Sequence, residues 1–488
     1  LSKLSFGVKL NLTKIKNQPV HMPQRTKIVA TLGPSSDNLY TLERMLQAGI
    51  DLARLNFSHG SYENFSEIIK NLREAAKKTG KNIAILQDLQ GPKIRIGKLS
   101  PEGIKIEKGQ KIVLSADQQK NEIPIQYKAL PKEVKKDTIL LIDDGLIELQ
   151  VLSTTDKTIT TRALNKGVIK SHKGINVPNC KLNAQSLTKK DIADLKFGIK
   201  EDVDYVALSF VKSKDDILNL RKKIEKLTKK GPKIIAKIER KEAIGNLKEI
   251  IETSDGIMVA RGDLGLEVPA EMVPIYQKEI IHLCNEQAKP VIVATHVLQS
   301  MIESPRPTRA EISDAANAIF DRADAFMLSN ETAVGKYPLK AVRTLANVGR
   351  AVENELKKRP FLLTPLNENK HLSITDASCL NAINLAENIG ANHLVLLTEK
   401  GYTARQISKY RPMTELITIT TSEKTKRELS LIWGINKILI TTSSIKNESE
   451  LETATIKLLK KHRLVKPGDK IVIISASKER KLLSSVKI

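Results

Sequence analysis

The chain has 488 residues, 41% hydrophobic and 28% charged, an ordinary globular composition but too long for one core, so two to four domains are expected. No apolar run reaches membrane-spanning length, and the three cysteines, Cys180, Cys284 and Cys379, lie too far apart for a disulfide framework or a CxxC metal site, which suits a reducing cytoplasm. The net charge of +25 is mostly lysine spread along the chain with only 3% aromatics, whereas a nucleic-acid surface would cluster its basic residues among aromatics, so neither a nucleic-acid nor a membrane partner is expected.

Residues 1–22 are basic, contain no acid or arginine and do not begin with methionine. They read as an N-terminal extension, or as sequence upstream of a start at Met22, rather than as a transit peptide. From residue 25 a rhythm sets in. Apolar runs at 26–36, 51–60, 82–91, 204–211, 233–239, 255–265, 290–296 and 325–333 each end in a polar cluster. Amphipathic stretches such as 39–50 and 274–288 separate them, and Thr308 with Glu311 forms a capping-box pattern. Eight such strand–helix units predict a closed (β/α)8 barrel of α/β class.

Between the third and fourth runs the rhythm breaks. Residues 92–193 hold short β-like runs and turn residues, read as an inserted all-β domain placed to act as a lid. After Arg359 and Pro360 a third unit begins, with strand-like runs at 393–401, 416–422, 437–444 and 470–477, read as an open α/β domain. The expected division is therefore barrel 23–91 and 194–358, lid 92–193 and C-terminal unit 359–488.

In such a barrel the C-terminal strand ends build the active site. Here they carry Arg54, Asn56, Ser58 and His59, then Asp88 and Arg95, Lys237 and Glu239, Arg261 and Asp263, Thr295, and Ser329 and Glu331. Lys237 and Glu239 are two apart and so share a strand face. Arg and Lys suit phosphoryl charge, and two carboxylates such as Glu239 and Asp263 suit an octahedral Mg²⁺ that keeps its waters. Together they fit phosphoryl transfer, which is mostly positioning and charge stabilisation. GPKIRIGKL (91–99) fails the phosphate-loop spacing, and no HExxH, GxSxG or GxGxxG occurs. Histidines other than His59 and His296 read as surface residues.

RTKIVATLGPSS, RLNFSHG, DLQGPKIR, DDGLI, KGINVP, SFV, KIE, GIMVARGDLG, PRPTRAE and MLSNETAVGKYP, in this order, resemble the signatures of the pyruvate kinase family. The resemblance implies Mg²⁺-dependent phosphoryl transfer from phosphoenolpyruvate to ADP, giving pyruvate and ATP in the last step of glycolysis. It also implies a homotetramer of barrel, β lid and C-terminal α/β domain. It assigns Glu239 and Asp263 to the catalytic Mg²⁺, with a second Mg²⁺ arriving with the nucleotide. Lys237 meets the phosphoryl group and steadies the enolate, Arg54 grips the phosphate, and the amides of Gly262 and Asp263 take the carboxylate. Thr295, with water and Ser329, serves protonation. Arg95, Lys173, His59 and Asn56 serve the nucleotide.

Three departures stand out. His296 and Asn330 differ from the family's usual ATQ or ATK and SGET, and bear on the proton step and the local backbone. LQGPKIRI, with Lys93 in place of a glutamate, resembles the potassium-independent group. A lysine ammonium can supply the charge that a monovalent cation otherwise brings, so no K⁺ requirement is expected, although Asn56, Ser58, Asp88 and Leu89 match the potassium ligands. TEKGYT (398–403), with Thr398, Gly401 and Thr403, matches a sugar-phosphate loop and could take a phosphorylated or nucleotide effector. The competing readings are a lyase or mutase of similar barrel acting on phosphoenolpyruvate or pyruvate, which would need no nucleotide lid, and an RNA-binding protein.

Overall fold

The apolar runs become the eight parallel strands of one closed barrel: β1 (Lys27–Thr31), β2 (Leu52–Asn56), β3 (Ala84–Asp88), β4 (Tyr205–Leu208), β5 (Lys233–Ile238), β6 (Gly256–Ala260), β7 (Val291–Ala294) and β8 (Ala325–Leu328). The computed structural model describes residues 24–117, 122–178, 180, 182, 186–366, 372–442, 448–476 and 481–488, so the reading of residues 1–22 lies outside the described residues. Neighbours in the barrel follow chain order, and β8 closes on β1 from Lys27↔Ala325 to Ala30↔Leu328. β3 pairs directly with β4 despite the long insertion between them.

Strand alternation divides the core. Val29, Leu52, Leu86, Ile235, Met258 and Ile292 fill the barrel interior, whereas Ile28, Ile85, Ile234 and Ile257 pack outward with the helices. Thr308 and Glu311 form both bonds of the capping box that starts helix Arg309–Phe320.

The barrel floor shows a repeat. Asp51, Asp204, Asp255 and Asp324 each stand one residue before β2, β4, β6 and β8. Each gives its backbone N–H to the carbonyl of Ile28, Ile85, Ile234 or Val291. The same residues return their N–H to the aspartate Oδ2 at 2.9, 2.9, 2.9 and 3.0 Å. Each aspartate also meets one cation: Lys27 at 3.3, Arg427 at 2.8, Arg221 at 3.1 and Arg411 at 3.0 Å. A strand beginning at a barrel rim has an amide without a ladder partner, and a buried one is costly. The aspartate supplies that partner.

The inserted segment forms a six-stranded and a two-stranded sheet around its own apolar cluster, including Ile96, Leu114, Leu140 and Val151. It is not wholly β, because Leu130–Glu133 makes one helical turn with Pro131 at its start, where a missing N–H costs nothing. Its turn at Gly145 approaches Leu266 beside the barrel mouth.

The C-terminal unit is an open sheet of β9 (His393–Leu397), β10 (Glu415–Thr420), β11 (Ile435–Ile440), β12 (Lys470–Ala476) and β13 (Lys481–Lys487), in the order β11-β10-β9-β12-β13. The four predicted runs are parallel. β13, antiparallel to β12 at the edge, was not predicted. His393 is no surface residue: it is 8% exposed, and its Nδ1 lies 3.1 Å from Glu415. Arg411, Arg427 and Arg25 tie this unit to the barrel floor, Arg25 donating to the Pro412 and Met413 carbonyls. Trp433 lies between the guanidiniums of Arg25 and Arg411, 5.4 and 4.8 Å from its ring.

Candidate active site at the barrel mouth

At the opposite end of the same strands, β2 and β3 pair Asn56 with Asp88, and Arg54 lies one step inside. β5 brings Lys237 to the same level. Its Nζ lies 3.2 Å from Asp88 Oδ1, 2.9 Å from Glu239 Oε1 and 2.9 Å from Ser209 Oγ. Arg54 holds Asp88 Oδ2 at 2.8 Å through Nε and 2.7 Å through Nη2, and reaches Thr31 Oγ1 at 3.0 Å. Both carboxylates are 1% exposed.

Burial pulls the Lys237 ammonium down, but Asp88 and Glu239 outweigh it and hold its pKa above the ordinary value. Burial likewise pushes Asp88 up, and Lys237 and Arg54 together bring it below the usual range. Glu239 ends raised, chiefly by burial and further by the Asp263 charge, with Lys237 opposing. Its Oε2 accepts the N–H of Phe210 at 2.7 Å.

At the end of β6 a short helix, Arg261–Glu267, begins. Gly262 donates its N–H to Thr295 Oγ1 at 2.7 Å, and a Cβ there would stand 3.3 Å from that oxygen, so a larger residue would crowd the contact. Thr295 and His296 both have positive φ, 63° and 52°, as does Phe210 at 56°. Such backbone in a β-branched residue is strained and needs support. Arg261 provides it: Nη2 binds the Thr295 carbonyl at 2.7 Å and the His296 carbonyl at 3.0 Å, and Nη1 meets Asp314 at 2.5 Å.

Two predicted strand-end charges are therefore engaged in bracing the backbone, although Arg261 also lines the cleft at the mouth. Arg261 clamps the β7 turn, and Glu331, 1% exposed, accepts the N–H groups of Leu298 and Ser329. Ser329 itself is held at φ −101° and ψ −99°. Ser209 and Phe210, in the SFV stretch, carry no role in the sequence reading, yet they contact Lys237 and Glu239 directly.

A cleft of about 740 Å³ is lined by Lys93, Asp144, Gly262, Asp263, Thr295 and His296, so insert and barrel share it. Lys93 lies 3.9 Å from Asp263. His59 is exposed, and partial burial with the charges of Arg95, Lys93 and Arg54 lowers its pKa. Arg95 donates to the His172 carbonyl at 2.8 Å, and Lys173 pairs with Asp143 at 2.8 Å, both within or beside the insert. Among the described residues neither His59 nor Lys173 touches the Arg54–Lys237 group.

The residues matched to a potassium site are already engaged. Arg54 and Lys237 take Asp88, the Leu89 carbonyl accepts from Ser209 Oγ at 2.7 Å, and Asn56 Oδ1 accepts the Ser58 N–H at 3.2 Å. Among the described residues no group of three or more His, Cys, Asp or Glu could hold a metal. Two carboxylates, Glu239 and Asp263, of which the second raises the first, suit Mg²⁺, which completes its shell with water and substrate oxygens. Thr398 and Thr403 are 6% and 2% exposed, and the loop between them turns at Gly401 with φ 74°.

A family model described as "Pyruvate kinase, barrel domain" matches residues 23–342, and one described as "Pyruvate kinase, alpha/beta domain" matches residues 376–485. The chain is 44% identical to pyruvate kinases of Bacillus licheniformis and Geobacillus stearothermophilus, in each case over 82% of this chain and 69% of the relative. A crystal structure of a pyruvate kinase from Cryptosporidium parvum superposes with a TM-score of 0.86 at 36% identity, covering 95% of this chain and 96% of that one.

Proposed function

The chain belongs to the pyruvate kinase family and carries its reaction, phosphoryl transfer from phosphoenolpyruvate to ADP; we propose that the barrel mouth divides the work as follows. The observation that carries the assignment is Lys237, a buried ammonium kept charged between Asp88 and Glu239. Arg54, oriented by Asp88, grips the substrate phosphate. The amides of Asp263 and of Gly262, the latter on leaving Thr295 Oγ1, receive the carboxylate. A terminal oxygen of ADP attacks phosphorus, the bond to the enol oxygen breaks, and Lys237 follows the charge from phosphoryl group to enolate. Thr295, with water and Ser329, delivers a proton to the enolate carbon.

Glu239 and Asp263 would hold Mg²⁺, which when bound neutralises charge on the phosphoryl and enolate oxygens, a second Mg²⁺ belonging to the nucleotide. Arg95, Lys173, His59 and Asn56 serve ADP. Lys173 reaches it by leaving Asp143 as the insert, residues 92–193, closes over the barrel as a lid. His296 lines the cleft beside Thr295 and modulates the proton step. The same reading includes a cytoplasmic homotetramer, the domain limits 23–91 with 194–358 and 359–488, and a phosphorylated effector at residues 398–403. The burial of Thr398 and Thr403 means that loop must open to bind.

No K⁺ requirement follows from Lys93 together with the prior engagement of Asn56, Ser58, Asp88 and Leu89. The test is pyruvate formation from phosphoenolpyruvate, ADP and Mg²⁺, with K⁺ or a tetraalkylammonium ion. Equal rates are expected. Turnover only with K⁺ would overturn the role of Lys93 and leave the reaction standing.

A further inference from the structure

The inserted segment returns to the barrel after Ile175, and two barrel side chains hold that return. Asn176 still pairs with Leu141 in the insert's sheet, and Val177 and Leu182 belong to the insert's apolar cluster, whereas Leu187 belongs to the barrel's. Between them Arg240 Nη2 donates to the Cys180 carbonyl at 3.3 Å, and Lys212 Nζ donates to the Leu182 carbonyl at 3.4 Å. Both cations follow a strand end of the mouth. Arg240 stands directly after Glu239, and Lys212 two residues after Phe210.

Arg240 reaches further. It is 9% exposed, meets Glu242 through Nε and Nη2 at 3.2 and 3.0 Å, and its Nε lies 3.6 Å from Glu267 Oε2. Glu267 is 5% exposed and closes the short helix Arg261–Glu267, about one turn from Asp263. Burial raises its pKa to about 7, with Glu242 and Asp263 adding to this, while Arg240 and the Asn176 side chain favour the charged form. One guanidinium therefore joins the end of β5, the helix beyond β6 and the return of the insert. Among the described residues neither Arg240 nor Glu267 bonds to Arg54 or Lys237, so both would act through others.

We propose that Arg240 and Glu267 form a latch that positions the carboxylates Glu239 and Asp263 and fixes the insert from the same point. The latch rests on the assignment of those two carboxylates to Mg²⁺. A side chain that spans three elements holds them in register only while all its bonds are made. Charge and position then predict opposite signs. By charge alone, removing the Arg240 cation from beside the carboxylates tightens the binding of a divalent cation, and removing the Glu267 charge loosens it. Loss of a latch loosens it in both cases.

The experiment titrates Mn²⁺ alone, followed by electron paramagnetic resonance, into the full chain and into Arg240→Gln, Glu267→Gln, the double variant and Glu239→Gln. Each single latch variant is expected to bind Mn²⁺ about tenfold more weakly, the scale of losing a group that orients a metal ligand. The double variant should be no worse than either single, because the two residues act as one unit. In the metal-free proteins amide exchange at Ile175, Asn176 and Val177 should quicken in all three latch variants. The floor amides of Ile28, Ile85, Ile234 and Val291 should exchange as in the wild type, which shows the fold intact. KM for ADP, which meets Lys173 of the insert, should rise more than kcat falls. Tighter Mn²⁺ binding in Arg240→Gln, or unchanged exchange at residues 175–177, would overturn the latch and leave the metal assignment standing. Wild-type Mn²⁺ binding in Glu239→Gln would overturn the metal assignment, and the latch with it.

Discussion

The two ends of this barrel use the same residue types to opposite effect. At the floor each aspartate before an even-numbered strand has its Oδ2 filled by a backbone N–H and a cation beside it. At the mouth one ammonium is shared between two carboxylates, Asp263 has among the described residues only the distant Lys93, and the backbone at Phe210, Thr295 and His296 is strained. Closed sets of partners stabilise. Open sets are left over for a substrate and a metal.

The largest expected effect therefore lies at the mouth. Lys237→Met should lower kcat by about 10²–10³-fold or more, the scale of losing one group aimed at transition-state charge. Arg54 still holds Asp88, so phosphoenolpyruvate binding should survive largely intact. Steady-state kinetics and equilibrium binding give the two numbers, and near-wild-type turnover would sink the assigned role.

At the floor the same kind of deletion should strike stability. Asp324→Ala leaves Arg411, 3% exposed, without its carboxylate and Val291 without its acceptor. Breaking a buried pair costs about 3–5 kcal/mol. The thermal midpoint should fall while kcat per folded molecule stays near wild type. A variant that folds normally yet loses turnover would erase the distinction between the two ends.

How much of this was readable beforehand follows the same division. The eight strands were legible because both faces of each are buried, giving continuous apolar runs between amphipathic helices. Lys237, Glu239, Arg54 and Asp263 were legible because charge at the end of such a run has no packing reason to be there. The direction of Arg261 and Glu331 was not. Both also end apolar runs, and only the carbonyls of Thr295 and His296 and the amides of Leu298 and Ser329 reveal that they brace the backbone. Positive φ at Thr295 runs against the preference of a β-branched residue, so no propensity argument finds it. The floor aspartates left a trace, an Asp before every second strand, that becomes legible only once the barrel order is known. β13 follows no helix and so fell outside the strand–helix rhythm.

A smaller effect separates charge from its pairing. Burial raises Asp204 to about 6 from 3.8, against the pull of Arg427 and the Ile85 N–H. With the folded pKa above the unfolded one, the native state holds the extra proton in that window. The contribution is full below about pH 4 and lost as pH rises through about 6, a change of roughly 3 kcal/mol at most. Denaturation midpoints across pH 4–7 should decline from this group, and Asp204→Asn should flatten the slope. An unchanged slope in the variant would assign the pH dependence elsewhere.

The smallest effect tests whether every unusual residue at the mouth matters. Asn330 stands beside Ser329, at the position where the family resemblance leads one to expect glycine. It begins the short helix Asn330–Ala333, is exposed, and is not among the residues with positive φ. Nothing there requires a glycine. Its carbonyl accepts from Val334 and Gly335, bonds that the side chain does not make. Asn330→Gly should therefore leave kcat within about twofold and cost only the few tenths of a kcal/mol by which glycine is the poorer helix former. Gly335 is the opposite case. A Cβ there would stand 2.6 Å from the Glu331 carbonyl oxygen, so Gly335→Ala must displace the turn whose Glu331 side chain fixes Ser329. Measured together, the pair should give an almost silent change and a damaging one five residues apart. Equal damage from both would mean that the backbone at Ser329, rather than the contacts of Gly335, limits the site.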